Sequence, residues 1–95
     1  MNVDIEIYLS QFISFFDKNP DSLRELIGGL NKDEFYDKVK EQSIINHKKG
    51  EDVSLTRTQL IDVVKSLMKV RESENVSKKL NGIFQKTNFG EICLN

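Results

Sequence analysis

The chain has 95 residues, of which 38% are hydrophobic and 31% charged, with a formal net charge of −1. That length fits one domain over residues 1–95, and the composition is that of a globular protein, neither disordered nor membrane-embedded. The near-zero charge balance gives the whole chain no attraction to nucleic acid or an acidic membrane, and the single cysteine, Cys93, excludes an internal disulfide and points to a reducing compartment.

The N-terminus carries Asp4 and Glu6 where a secretory signal needs positive charge, and no apolar run approaches the roughly 20 residues of a spanning helix, so a cytoplasmic protein is expected. The first predicted helix runs from Asp4 to Asp17. Ile5, Tyr8, Leu9, Phe12, Ile13, Phe15 and Phe16 give it a broad apolar face, and the turn-forming Asn19-Pro20 closes it. A second helix starts at Pro20, a favoured first helical position, with Asn19 as its expected cap. Leu23, Leu26, Ile27 and Leu30 follow at helical spacing, and Gly28-Gly29 supplies the terminator.

The third helix opens on Asn31, with Glu34 at capping-box distance. Its acidic start (Asp33, Glu34) and basic end (Lys48, Lys49, before Gly50) suit the helix dipole. Phe35, Tyr36 and Val39 form its stripe, while Ile44 and Ile45 fall off it. Either the helix bends near Gln42 or those isoleucines meet something else. A fourth helix begins at the Thr56/Gln59 capping box and continues to Val70, with Leu60, Ile61, Val63, Val64, Leu67, Met68 and Val70 covering half its circumference. The fifth spans about Asn75 to Thr87, with Val76, Leu80, Ile83 and Phe84 on one face. The tail over 88–95, NFGEICLN, is either docked, being apolar enough, or flexible, being short. The fold expected is mainly α, a compact four- to five-helix bundle with orthogonal or antiparallel neighbours. Alternations at Val3-Ile5-Ile7 and Val53-Leu55 leave room for a minor β element.

Helix-turn-helix spacing occurs around both Gly28-Gly29 and Thr56. A recognition helix, however, needs Arg, Asn or Gln aimed at base edges with cations beside them. The outward face of the fourth helix carries Asp62 at its middle, and that of the third carries Asp33, Glu34 and Asp37. The alternative nucleic-acid surface would gather Lys65, Lys69, Arg71, Lys78, Lys79 and Lys86 if the fourth and fifth helices pair. Charge is otherwise spread evenly along the chain, without a basic footprint.

Catalytic patterns are sparse. Ser66-Leu67-Met68-Lys69 spells S-x-x-K, but "KTG" is absent and Ser73-Glu74-Asn75 is not the partner "SDN" motif. His47 follows Ser43 by one turn, yet no orienting carboxylate is evident, and His47 with Cys93 makes only two metal ligands. Asp33, Asp37 and Glu41 are interleaved with Lys38 and Lys40, as on a solvated helix face. No enzyme activity, cofactor, metal or small-molecule ligand is therefore expected. The complete lack of alanine, with abundant Lys and Asn, fits an AT-rich bacterial or phage genome.

One pattern asks for a partner. Opposite the apolar face of the first helix lie Val3, Ile7, Ser10 and Ser14, where a solvated back would carry charge. Two aliphatics followed by two small residues bury the helix on both sides, form an interface, which Ile44 and Ile45 could join, or are scattered apolar surface residues. The functional expectation is a non-enzymatic protein–protein interaction domain that self-associates, as a homodimer or with a protein partner.

Overall fold

Seven helical segments make up the described part of the chain, residues 3–95 of the computed structural model, with side chains described from Asp4 onward. α1 (Val3–Lys18), α2 (Pro20–Ile27), α3 (Lys32–Lys48), α4 (Arg57–Ser66) and α6 (Val76–Lys86) are the five expected helices. The four-residue α5 (Val70–Ser73) and five-residue α7 (Phe89–Cys93) are additions. No strand occurs among the described residues. The alternation over 3–7 is absorbed into the longer 3.6-residue rhythm of α1, and Val53-Leu55 lies in a loop. Leu55 O still accepts one bond from the Asn95 amide at 2.8 Å, so tail and loop meet without forming a ladder.

The corners follow from local chemistry. Pro20 disfavours helical backbone at Asn19, which sits at φ −129°, ψ 63°. Asn19 does not cap α2 as expected: its side-chain amide donates backward to Phe15 O at 2.8 Å and closes α1. At the end of α2, Gly28 takes φ +60° while its amide bonds Arg24 O at 2.8 Å. Asn31 caps α3 as expected, accepting from the amides of Asp33 and Glu34. α3 ends in a Schellman motif: Gly50, at φ +75°, donates to His47 O, and Glu51 donates to Asn46 O. The capping box at Thr56 and Gln59 forms in full.

The extent of α4 is corrected, while α3 is one continuous helix from Lys32 to Lys48 through Gln42. Its inner stripe continues from Phe35 and Val39 into the buried polar pair Ser43 and Asn46, and Ile44 and Ile45 lie off that stripe, the first half-buried and the second exposed. α4 stops at Ser66, four residues early. Its last turn tightens, with Leu67 N–H bonding Val64 O and Met68 N–H bonding Lys65 O, and Lys69 is extended before α5 restarts the helix. Val70, assigned to the core stripe, is consequently rotated out and is 82% exposed.

The core is centred on α1. Phe12 is fully buried, and its ring lies 5.9 Å from Tyr8, 5.3 Å from Phe16, 5.7 Å from Phe35, 6.3 Å from Tyr36 and 5.6 Å from Phe89. Phe89 also meets Phe15 at 5.0 Å and Phe16 at 5.2 Å, which docks α7 along α1. Gly90 lets this happen: a Cβ there would sit 3.2 Å from the Phe84 ring, which stacks on Phe89. The tail is thus part of the core. Phe89→Ala should cost about 3–5 kcal/mol, the usual loss for a buried Phe. The check is a lowered urea midpoint; an unchanged midpoint would mean that the tail contributes nothing to folding.

Candidate interaction surface

The aromatic face of α1 points inward, so the opposite face is fixed outward. On it Ile7 is 52% exposed, Ser10 is exposed and Ser14 is half-buried. The side chain of Val3, which shares this line, lies outside the described residues. Beside the serines runs an open groove of about 600 Å³, lined on α1 by Ser10, Gln11, Ser14, Phe15 and Lys18 and walled across by Asn88 and Ile92. Ile92 is 44% exposed. Among the described residues four large aliphatics are exposed, Ile7, Ile45, Val70 and Ile92. One lines this groove, and another projects one helical turn beyond it.

The other interface candidates lie elsewhere. Ile45 lines a separate depression of about 200 Å³ between α3 and α4, with Lys38, Glu41, Gln42, Asp62, Val63 and Ser66. Ile44 is half-buried, and neither isoleucine lines the α1 groove. Ile92 was missed by sequence reasoning, because a five-residue helix gives too short a period to assign a face. The signal was nonetheless present: Phe89 and Cys93 at i, i+4 point to the core, which turns Ile92 outward.

The wall of the groove is held in place by buried polar contacts. The Tyr8 hydroxyl donates to Cys93 O at 2.7 Å and accepts from Leu55 N–H at 3.2 Å, tying α1, the tail and the loop before α4 at one atom. Burial pushes the Tyr8 phenol well above its usual range, and burial pushes the Cys93 thiol up to about 12. A second network joins α3 to α4. Asn46 and Gln59 exchange two amide hydrogen bonds of 2.9 Å, and Gln42 donates to Asn46 Oδ1 at 3.0 Å. Gln59 also completes the capping box, which fixes the register of the two helices.

The six cations of the alternative surface occupy the last turn of α4, the residue before α5, α5 itself and α6. α4 and α6 do pack, and Lys65, Lys69, Arg71, Lys78 and Lys86 are exposed, while Lys79 is half-buried. They do not make one basic field. Lys86 pairs with Glu25 of α2 at 3.8 Å, Lys79 borders a depression shared with Glu72, and Asp62, Glu72 and Glu74 are exposed among them. Of the catalytic patterns, Ser66 Oγ donates to Val63 O at 2.7 Å and the buried Ser43 donates to Val53 O at 2.8 Å. Both hydroxyls serve the backbone. Among the described residues no three His, Cys, Asp or Glu side chains gather to hold a metal ion, and no helix is long and apolar enough to cross a membrane.

The chain matches no protein-family model, and no curated protein or solved structure is detectably similar to it.

The buried tail has a measurable pH signature. Cys93 stays protonated in the fold up to about pH 12, whereas in the unfolded chain it ionises near its ordinary value of 9.0. The folded form then holds more protons than the unfolded one, so stability is full below pH 9 and falls as pH rises above it. The slope approaches about 1.4 kcal/mol per pH unit for each such group, with Tyr8 joining above its ordinary value of 10.0. Urea midpoints at pH 7 and pH 10.5 should differ accordingly, and Cys93→Val should flatten the decline.

Proposed function

We propose that this chain is a non-enzymatic interaction module that associates with itself in the cytoplasm through the outer face of α1. The observation that carries this reading is the outer face of α1, where half-exposed Ile7 lies one turn beyond an open groove lined by the small Ser10 and Ser14 and by half-exposed Ile92. A helix with only solvent behind it gains nothing from isoleucine there, whereas a packed partner would. Covering the exposed halves of Ile7 and Ile92 is worth about 1 kcal/mol each per copy by apolar burial. The cytoplasmic part of the reading is supported by Cys93, a single thiol sequestered inside the core.

The test is molar mass by light scattering over a concentration series. The expected result is a rise toward twice the 11.0 kDa of the single chain, with thermal stability rising in parallel by mass action. Ile7→Glu combined with Ser14→Glu should hold the mass at that of one chain while the helical circular dichroism signal is kept. A double variant that dimerises as the parent does would show that this face is merely exposed.

A further inference from the structure

The corner between α4 and α6 differs from those before it. Pro20 separates α1 from α2, Gly28 ends α2 at φ +60°, and Gly50 ends α3 at φ +75°. Between Gly50 and Gly82, by contrast, the chain holds neither glycine nor proline, so its covalent structure permits unbroken helix from Arg57 to Lys86. The break is held by little. α5 buries none of its four residues, and neither α5 nor α6 has a side-chain cap, so their first-turn amides lack what Asn31 and Thr56 supply to α3 and α4. Lys69 is extended at φ −72°, ψ 156°, and Val70 beside it is 82% exposed.

We propose that this corner is an exchange hinge: it opens into one continuous helix over 57–86 and passes α6 and α7 to a second copy of the chain, which returns its own. Exchange of this kind is independent of the self-association proposed above and does not use the outer face of α1. A helix over 57–86 is about 45 Å long, beyond the molecule's greatest extent of 35 Å, so α6 leaves its own body. With helical periodicity carried through, the apolar face of α6 (Val76, Leu80, Ile83) also falls about half a turn from that of α4 (Leu60, Val63, Val64), away from its own core. The receiving surface is already shaped, being the place that α6 and α7 vacate on the second copy. There Phe89 meets Phe12 and Phe16, Cys93 O accepts from the Tyr8 hydroxyl, and Lys86 pairs with Glu25, each contact now between chains. Every contact outside the hinge is kept, so the balance between one chain and two is set by the hinge and by concentration. On the opened helix Val63, Leu67 and Val70 share one stripe at i, i+4, i+7. Both hinges span the same two lobes in opposite directions, which brings the exposed Val70 of each copy alongside the other.

The test refolds the full chain from urea at high concentration, as an equal mixture of isotopically labelled and unlabelled chains, and isolates the dimer by size exclusion. Isotope-filtered NOEs between the Phe89 and Phe12 rings of different chains are expected. The dimer should also persist on dilution, because its return requires undocking the fully buried Val76, Leu80, Ile83 and Phe89. Val70→Pro suits the closed form, since Val70 is the first residue of α5 and Lys69 before it is already extended. The same proline breaks the opened helix. That variant should fold with the parent's helical signal and give no exchanged dimer. Ser73→Ala with Asn75→Ala favours helix through the hinge without removing a cap, and should raise the dimer fraction several-fold. Ile7→Glu with Ser14→Glu should leave the exchanged dimer intact. If the refolded dimer lacks the NOE between chains and is lost with that pair, exchange fails while association through α1 stands. A Val70→Pro chain that exchanges as the parent does overturns the helical hinge. A refolded sample without an NOE-positive dimer at any concentration overturns exchange, whatever light scattering shows for the α1 face.

Discussion

The ring of Phe12 is the fixed point of the structure. It is fully buried between Tyr8 and Phe16 on its own helix and Phe35, Tyr36 and Phe89 from α3 and α7. Most of these pairs are tilted or edge-on, the arrangement in which a positive ring edge meets a negative face. Once this cluster forms, the rotation of α1 about its axis is set. Every residue half a turn away from Phe12 must then face outward, whatever its polarity. The exposure of Ile7 is therefore a consequence of core packing: the residue cannot turn inward without withdrawing aromatic rings from the core.

Polar contacts decide the finer placement. A buried hydroxyl or amide is costly unless bonded, and among the described residues no buried side-chain nitrogen or oxygen lacks a partner. Tyr8 reads two backbone groups distant in sequence and fixes where the tail crosses α1. The Gln42–Asn46–Gln59 amides set α3 against α4, and the capping box links that contact to the start of α4. These networks use residue types that a hydrophobic-pattern reading passes over. They are also why the inner face of α3 becomes polar halfway along without the helix breaking.

Arg57 shows how the outer layer is assembled on this frame. Its guanidinium lies 5.1 Å from the centre of the Phe84 ring and donates to Asn81 of α6, joining the first turn of α4 to the helix it packs against. Phe84 stacks in turn on Phe89, so the link runs through to the aromatic cluster. The cations of α4 to α6 are left as a dispersed surface mixed with carboxylates.

The sequence alone determined the helices and most of their ends, because those depend on neighbours within four residues. The rhythm of α1, the Asn31 cap, the Thr56–Gln59 box and the glycine at Gly50 all act locally, and all appear as read. It also placed Ile7, Ser10 and Ser14 on one outward line, since helical periodicity alone fixes that. Only the structure decided that α4 ends at Ser66 and that Asn19 closes α1 instead of opening α2, since the same local signals suit either outcome. That Ile92 completes the groove while Ile45 lies elsewhere is set by residues far apart in the chain meeting across the core, a distance that periodicity cannot span.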